Sequence, residues 1–125
     1  MSDLDIEKTF NTPAVSLNYF EGIFRMIGRA IPEDPVEFFE KIMDSLKDYY
    51  YNEPQPLTKL EFQLEYVNSG SSKMLIDLFS IVKARYEKGY QCKVLWFYDK
   101  EDESIQELGQ YYKNNFKIPF ELIEF

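Results

Sequence analysis

The sequence predicts a single α/β domain: a mixed sheet of about five strands in the order β-β-α-β-α-β-α-β, with three helices mainly on one face. Three observations predict it. Leu60, Phe62, Leu64 and Tyr66 alternate strictly with Lys59, Glu61, Gln63 and Glu65, the period of a strand with one buried face. Leu75, Leu78, Phe79, Val82 and Tyr86 then recur at helical spacing, with Gly89 expected at C′. Strand-like and helix-like stretches keep alternating to the end of the chain, the order that brings successive strands back parallel to one another.

Taken in order, residues 1–12 read as a polar lead-in, and the domain proper as 13–125. Ala14 to Asn18 is a short strand after Thr12-Pro13, Glu21-Gly22 a turn, and Ile23 to Gly28 the return strand of a hairpin. Gly28 to Pro35 breaks that strand. Asp34 is placed to cap a helix, with Pro35 at its first position and Glu37 at N3. The helix runs to about Tyr50 and buries Val36, Phe39, Ile42 or Met43, and Leu46, until Pro54 and Pro56 forbid its continuation. Of Tyr49-Tyr50-Tyr51, one or two are expected to close the helix end over the core. Gln91 to Tyr98 is apolar on both faces except at Lys93 and reads as an interior strand. Asp99 to Ser104 leads into a third helix ending near Asn115, and Pro119 to Phe125 gives the last strand. The charges of Lys59, Glu61 and Glu65 leave one sheet face less covered, so the helices are expected on the other.

Composition narrows the function. With 45% hydrophobic and 18% aromatic residues, the 125-residue chain has material for a real core. A formal charge of −8 disfavours nucleic acid and anionic membranes as partners. Histidine is absent, which removes the commonest general base and most zinc sites. Cys92 has no internal partner, Met1 to Asn11 lacks the pattern of a secretory leader, and no apolar run approaches a membrane span. The expectation is a soluble cytoplasmic protein with no cofactor.

Between the central strand and helix lies Asn68-Ser69-Gly70-Ser71-Ser72-Lys73. Asn and Ser are preferred helix caps, and Gly opens tight corners. One cap needs only one such side chain, however, and four are present. A helix start carries unpaired N–H groups and partial positive charge, so a phosphate placed there is stabilised. The surplus therefore points to a regulatory phosphorylation site. Arg25, Arg29 and Lys73 are the cations available to it, and whether they converge is a tertiary question. Two other readings stand beside this one. The carboxylates Asp99, Glu101, Asp102 and Glu103 would suit a small metal-dependent enzyme, although acids at a helix start also complement its dipole. Alternatively, the domain is a purely structural interaction module whose serines only cap the helix.

The turn, together with Gly28-Arg29-Ala30-Ile31-Pro32-Glu33, Val94-Leu95-Trp96-Phe97-Tyr98 and Ile118-Pro119-Phe120-Glu121-Leu122-Ile123, resembles the SiaC-type regulatory phosphoproteins over nearly the whole chain. The resemblance implies a STAS-like fold and a non-enzymatic role with no metal. It implies that a hydroxyl at the strand-to-helix turn is phosphorylated by a histidine-kinase-like protein kinase and dephosphorylated by a PP2C-type phosphatase. It further implies that the unmodified protein engages an effector such as a diguanylate cyclase, in c-di-GMP signalling of the biofilm type. By position, the acceptor is Ser69, where relatives often carry Thr, with Ser71 as second choice because Gly70 replaces an expected Ser. The partner-binding surface implied is Asn68, Ser69, Gly70, Ser71, Ser72 and Lys73.

Overall fold

A computed structural model describes residues 3–125. Its elements are β1 (Leu4–Ile6), β2 (Ala14–Asn18), β3 (Ile23–Ala30), α1 (Pro35–Tyr51), β4 (Leu57–Val67), α2 (Ser69–Tyr86), β5 (Gln91–Tyr98), α3 (Glu103–Phe116) and β6 (Phe120–Glu124). The six strands lie side by side in chain order. Short loops join β1, β2 and β3 antiparallel, whereas each helix carries the chain back to start β4, β5 and β6 parallel to β3.

The helices cover one face of the sheet. Phe24 and Met26 of β3, Leu60 and Phe62 of β4, and Val94 and Trp96 of β5 are buried there beneath Phe39, Ile42 and Leu46 of α1, Leu75, Leu78 and Phe79 of α2, and Tyr112 of α3. Phe62 lies at the centre, with ring centroids 5.6 Å from Phe24, 5.2 Å from Phe79 and 5.6 Å from Trp96. Such aromatic contacts add to the burial of large apolar area that drives the fold. On the opposite, open face, Arg25 meets Glu61, Arg29 meets Glu65 and Lys93 meets Glu121 across neighbouring strands, at 3.2, 3.3 and 3.5 Å.

Several expectations are corrected. The sheet has six strands rather than about five, because Leu4–Ile6, inside the expected polar lead-in, pairs with β2. Leu4 and Ile6 lie opposite Leu17 and Val15 and pack on the same core; three residues are too few for a legible alternation. Strand β3 continues through Gly28 to Ala30 instead of breaking. Val36 is exposed and does not join Phe39, Ile42 and Leu46 on the buried side of α1, whereas Tyr49 and Tyr50 do, closing the helix end over the core as expected. Gly89 lies two residues past the α2 cap at Glu87.

The largest correction concerns Tyr66. Gly28 faces Leu64 but Arg29 faces Tyr66, so Glu65 is an extra residue on β4, a bulge. One inserted residue reverses the phase of the alternation. Tyr66 therefore joins Arg29 on the open face and is 59% exposed, while Val67, opposite Ala30, turns to the core.

Burial also sets a pH response. Desolvation pushes the Cys92 thiol up to about 11 and raises the Tyr50 and Tyr112 phenols further above their ordinary values. In each case the folded chain holds its proton where the unfolded chain has released it. Stability is therefore full below pH ~9 and falls by about 1.4 kcal/mol per pH unit once the unfolded chain's Cys92 ionises. It falls more steeply above pH ~10, where the unfolded chain's tyrosines ionise as well. The urea midpoint is expected to be level from neutral pH to about 8.5 and to drop steadily beyond it. A midpoint unchanged well above pH 9 would contradict this assignment.

Candidate functional site

At Val67 the chain leaves β4 and within one residue starts α2. Asn68 holds extended backbone, and its side-chain oxygen accepts the Ser71 N–H at 2.8 Å, while its carbonyl accepts the Ser72 N–H at 2.9 Å. The capping duty of the turn is thus discharged by Asn68 alone. Ser69, the first residue of α2, is exposed, and its hydroxyl makes no hydrogen bond among the described residues. Ser72, half-buried, returns its hydroxyl to the Ser69 carbonyl at 2.9 Å. Lys73 is exposed on the following turn.

Ser71 differs from its neighbours. It is fully buried at 0% exposure, and its hydroxyl has no hydrogen-bond partner among the described residues. The two candidate acceptors, two positions apart, therefore lie on opposite sides of the helix wall: Ser69 faces solvent and Ser71 faces the interior.

Three contacts from distant parts of the chain hold this turn. The Asn68 side-chain amide donates to the Pro32 carbonyl at 3.1 Å, tying it to the loop before α1. Tyr112 of α3 donates its hydroxyl to the Ser72 carbonyl at 2.8 Å. Gly70 lies against Pro35: a Cβ there would stand 2.6 Å from Pro35 Cγ, and a proline ring has little room to swing away. Gly70 is therefore a packing requirement of the α1–α2 contact. None of these supports carries a sequence signal, because each joins residues more than thirty positions apart.

The electrostatics of the three helix starts differ. Asp34 caps α1 and Asp102 caps α3, each with a further acid in the first turn, Glu37 and Glu103. The α2 start is capped by the neutral Asn68 and has no acid in its first turn. Its partial positive charge is left uncompensated by its own residues. Arg25 and Arg29 pair with Glu61 and Glu65 on the open face, and among the described residues neither forms a hydrogen bond or ion pair with the turn. The carboxylates after β5 are used locally: Asp99 accepts the Glu101 N–H and Asp102 caps α3. No group of three potential ligands that could hold a metal ion occurs among the described residues. No helix among them is long and apolar enough to cross a membrane.

The chain matches the family model for SiaC family regulatory phosphoproteins over residues 6–125. It is 29% identical over 120 residues to an uncharacterised protein of Pseudomonas aeruginosa strain UCBPP-PA14, covering 96% of this chain and 94% of that one. Among solved structures it resembles SiaC of Pseudomonas aeruginosa with a TM-score of 0.93 and 26% identity, over the full length of both chains. It also resembles SiaC in the crystal structure of the Pseudomonas aeruginosa diguanylate cyclase SiaD bound to its activator SiaC. There the TM-score is 0.92 and the identity 25%, over 98% of this chain and all of that one.

Proposed function

Because this chain belongs to the SiaC family of regulatory phosphoproteins, non-enzymatic components of signal transduction, we propose that Ser69 is its phosphoacceptor and the turn around it its partner-switching surface. The observation that carries the proposal is the exposed, unbonded Ser69 hydroxyl at the start of α2, the one helix of the three with no acid in its cap or first turn. A phosphate there gains the helix dipole and meets no carboxylate from its own helix start. The burial of Ser71 favours Ser69 of the two candidates.

The writer of this mark is a protein kinase of the histidine-kinase-like ATPase class, which moves the γ-phosphoryl of ATP onto the Ser69 oxygen as the hydroxyl proton leaves. The eraser is a PP2C-type phosphatase. The unmodified surface, comprising Asn68, Ser69, Gly70, Ser72 and Lys73 over the buried Ser71, engages the kinase and an effector. A diguanylate cyclase is the favoured effector class, by analogy with the SiaC–SiaD complex of Pseudomonas aeruginosa. The setting proposed is cytoplasmic.

The anchoring of the turn shapes how such a switch works. Phosphorylation adds about −1.5 to −2 charges, and at an exposed helix start this is worth roughly 0.3–1 kcal/mol. That is too little to displace contacts from Pro32, Pro35 and Tyr112 together. The same charge forced against a partner's apolar or acidic surface costs several kcal/mol. Modification therefore changes which partner binds while the backbone stays in place.

Incubation with the cognate kinase and ATP, followed by peptide mass spectrometry, is expected to find one phosphate, on Ser69, removable by the PP2C phosphatase. Phosphate on Ser71, or none between Asn68 and Lys73, would refute the assignment.

A further inference from the structure

The bulge at Glu65 builds a second surface that the phosphorylation turn does not use. Arg29 lies 4.9 Å from the centre of the Phe10 ring and 5.6 Å from that of Tyr66, so its guanidinium is flanked by two exposed aromatics. Beside this stack a groove of about 680 Å³ crosses the open sheet face. Ile27, Tyr66 and Phe125 give it apolar walls, at 41%, 59% and 58% exposure, and Phe125 is held in place by its N–H bond to the Tyr98 carbonyl at 3.0 Å. Its far rim is Asp99, Glu101 and Asp102. Arg29 is already paired with Glu65, no described salt bridge involves these three rim acids, and Lys8 is the one other cation that lines the groove.

Half-exposed tyrosine, phenylalanine and arginine around a groove are residue types that contribute strongly to binding energy at protein interfaces. The rim decides the occupant. Carboxylates beside the apolar side chains of a mixed groove, on a chain of net charge −8, repel nucleic acid and anionic lipid and attract cations. We propose that this groove docks a basic amphipathic segment of a partner protein, with an apolar side chain between Ile27, Tyr66 and Phe125 and flanking Lys or Arg residues against Asp99 and Glu101. Neither Ser69 nor any other residue of its turn lines the groove, so this proposal goes beyond the phosphoacceptor reading and fails or succeeds separately from it.

The test uses the full chain, labelled with ¹⁵N, and an amphipathic leucine–lysine peptide of about five helical turns. Amide shifts are expected at Ile27, Arg29, Tyr66 and Phe125. Glu101→Lys and Tyr66→Ser, both at exposed side chains, are each expected to weaken binding about tenfold or more. Ser69→Ala is expected to bind like the parent, and a leucine–glutamate peptide not to bind. Shifts confined to the helical face, equal binding of the acidic peptide, or unaltered binding by both groove variants would overturn the proposal. So would groove shifts that depend on protein concentration without peptide, because a second copy would then be the occupant.

Discussion

Ser69→Asp is expected to weaken binding of the unmodified-state partner roughly a hundredfold, whereas Ser69→Ala binds as the parent does. The asymmetry follows from what the hydroxyl does in the free protein. It makes no hydrogen bond among the described residues, and Asn68 supplies the cap, so its removal costs folding stability no more than about 0.5 kcal/mol. A carboxylate at the same point is tolerated by the free protein, since it sits at an uncompensated helix start. Docked, it would be desolvated against the partner. A loss of about 2.7 kcal/mol, two factors of ten, is modest for a charge buried without a partner. Titration calorimetry with the effector separates the readings: equal affinity of both variants would remove Ser69 from the interface. A purely capping role instead predicts a stability loss in Ser69→Ala with no change in binding.

The second large effect lies in the scaffold. Gly109→Ala in α3 is expected to destabilise the domain by about 3 kcal/mol and lower its melting temperature by roughly 10 °C. Helix propensity alone predicts the reverse, a gain of up to about 1 kcal/mol from replacing a mid-helix glycine. Packing decides the sign. A Cβ on Gly109 would stand 2.4 Å from Cδ1 and 2.5 Å from Nε1 of Trp96. Trp96 is fully buried and donates its indole N–H to the Ile105 carbonyl at 2.9 Å, so it cannot swing away. Helix α3 must retreat instead, and with it Tyr112, whose hydroxyl holds the first turn of α2. Thermal melts of Gly109→Ala, Trp96→Phe and the double variant test this. The smaller ring makes room, so the double variant is expected to be more stable than the sum of the singles. Strict additivity would show that the two residues do not clash.

Much of this molecule is written locally. The alternation from Lys59 to Leu64, the spacing of Leu75, Leu78, Phe79 and Val82, the Asp34–Pro35 helix start and the apolar run from Cys92 to Phe97 all correspond to elements found, because a strand or helix repeats over neighbours in sequence. The turn from Asn68 to Lys73 was legible for the same reason, as a cluster of hydroxyls between a period of two and a period of 3.6. β1 has no legible signal in the sequence because three residues make no pattern; only pairing with β2 gives it a core to face.

Sequence by itself thus determined the order of elements from β2 onward, the absence of histidine chemistry and the position of the hydroxyl-rich corner. Only the tertiary structure decided which hydroxyl is reachable and which is enclosed, and on which side of the sheet Tyr66 lies. Ser69 and Ser71 are chemically alike and two residues apart; a helix advances each residue by about 100°, so which one meets solvent depends on what packs beside α2. Tyr66 depends on the pairing of β4 with β3, where one residue without a partner reverses every side chain beyond it.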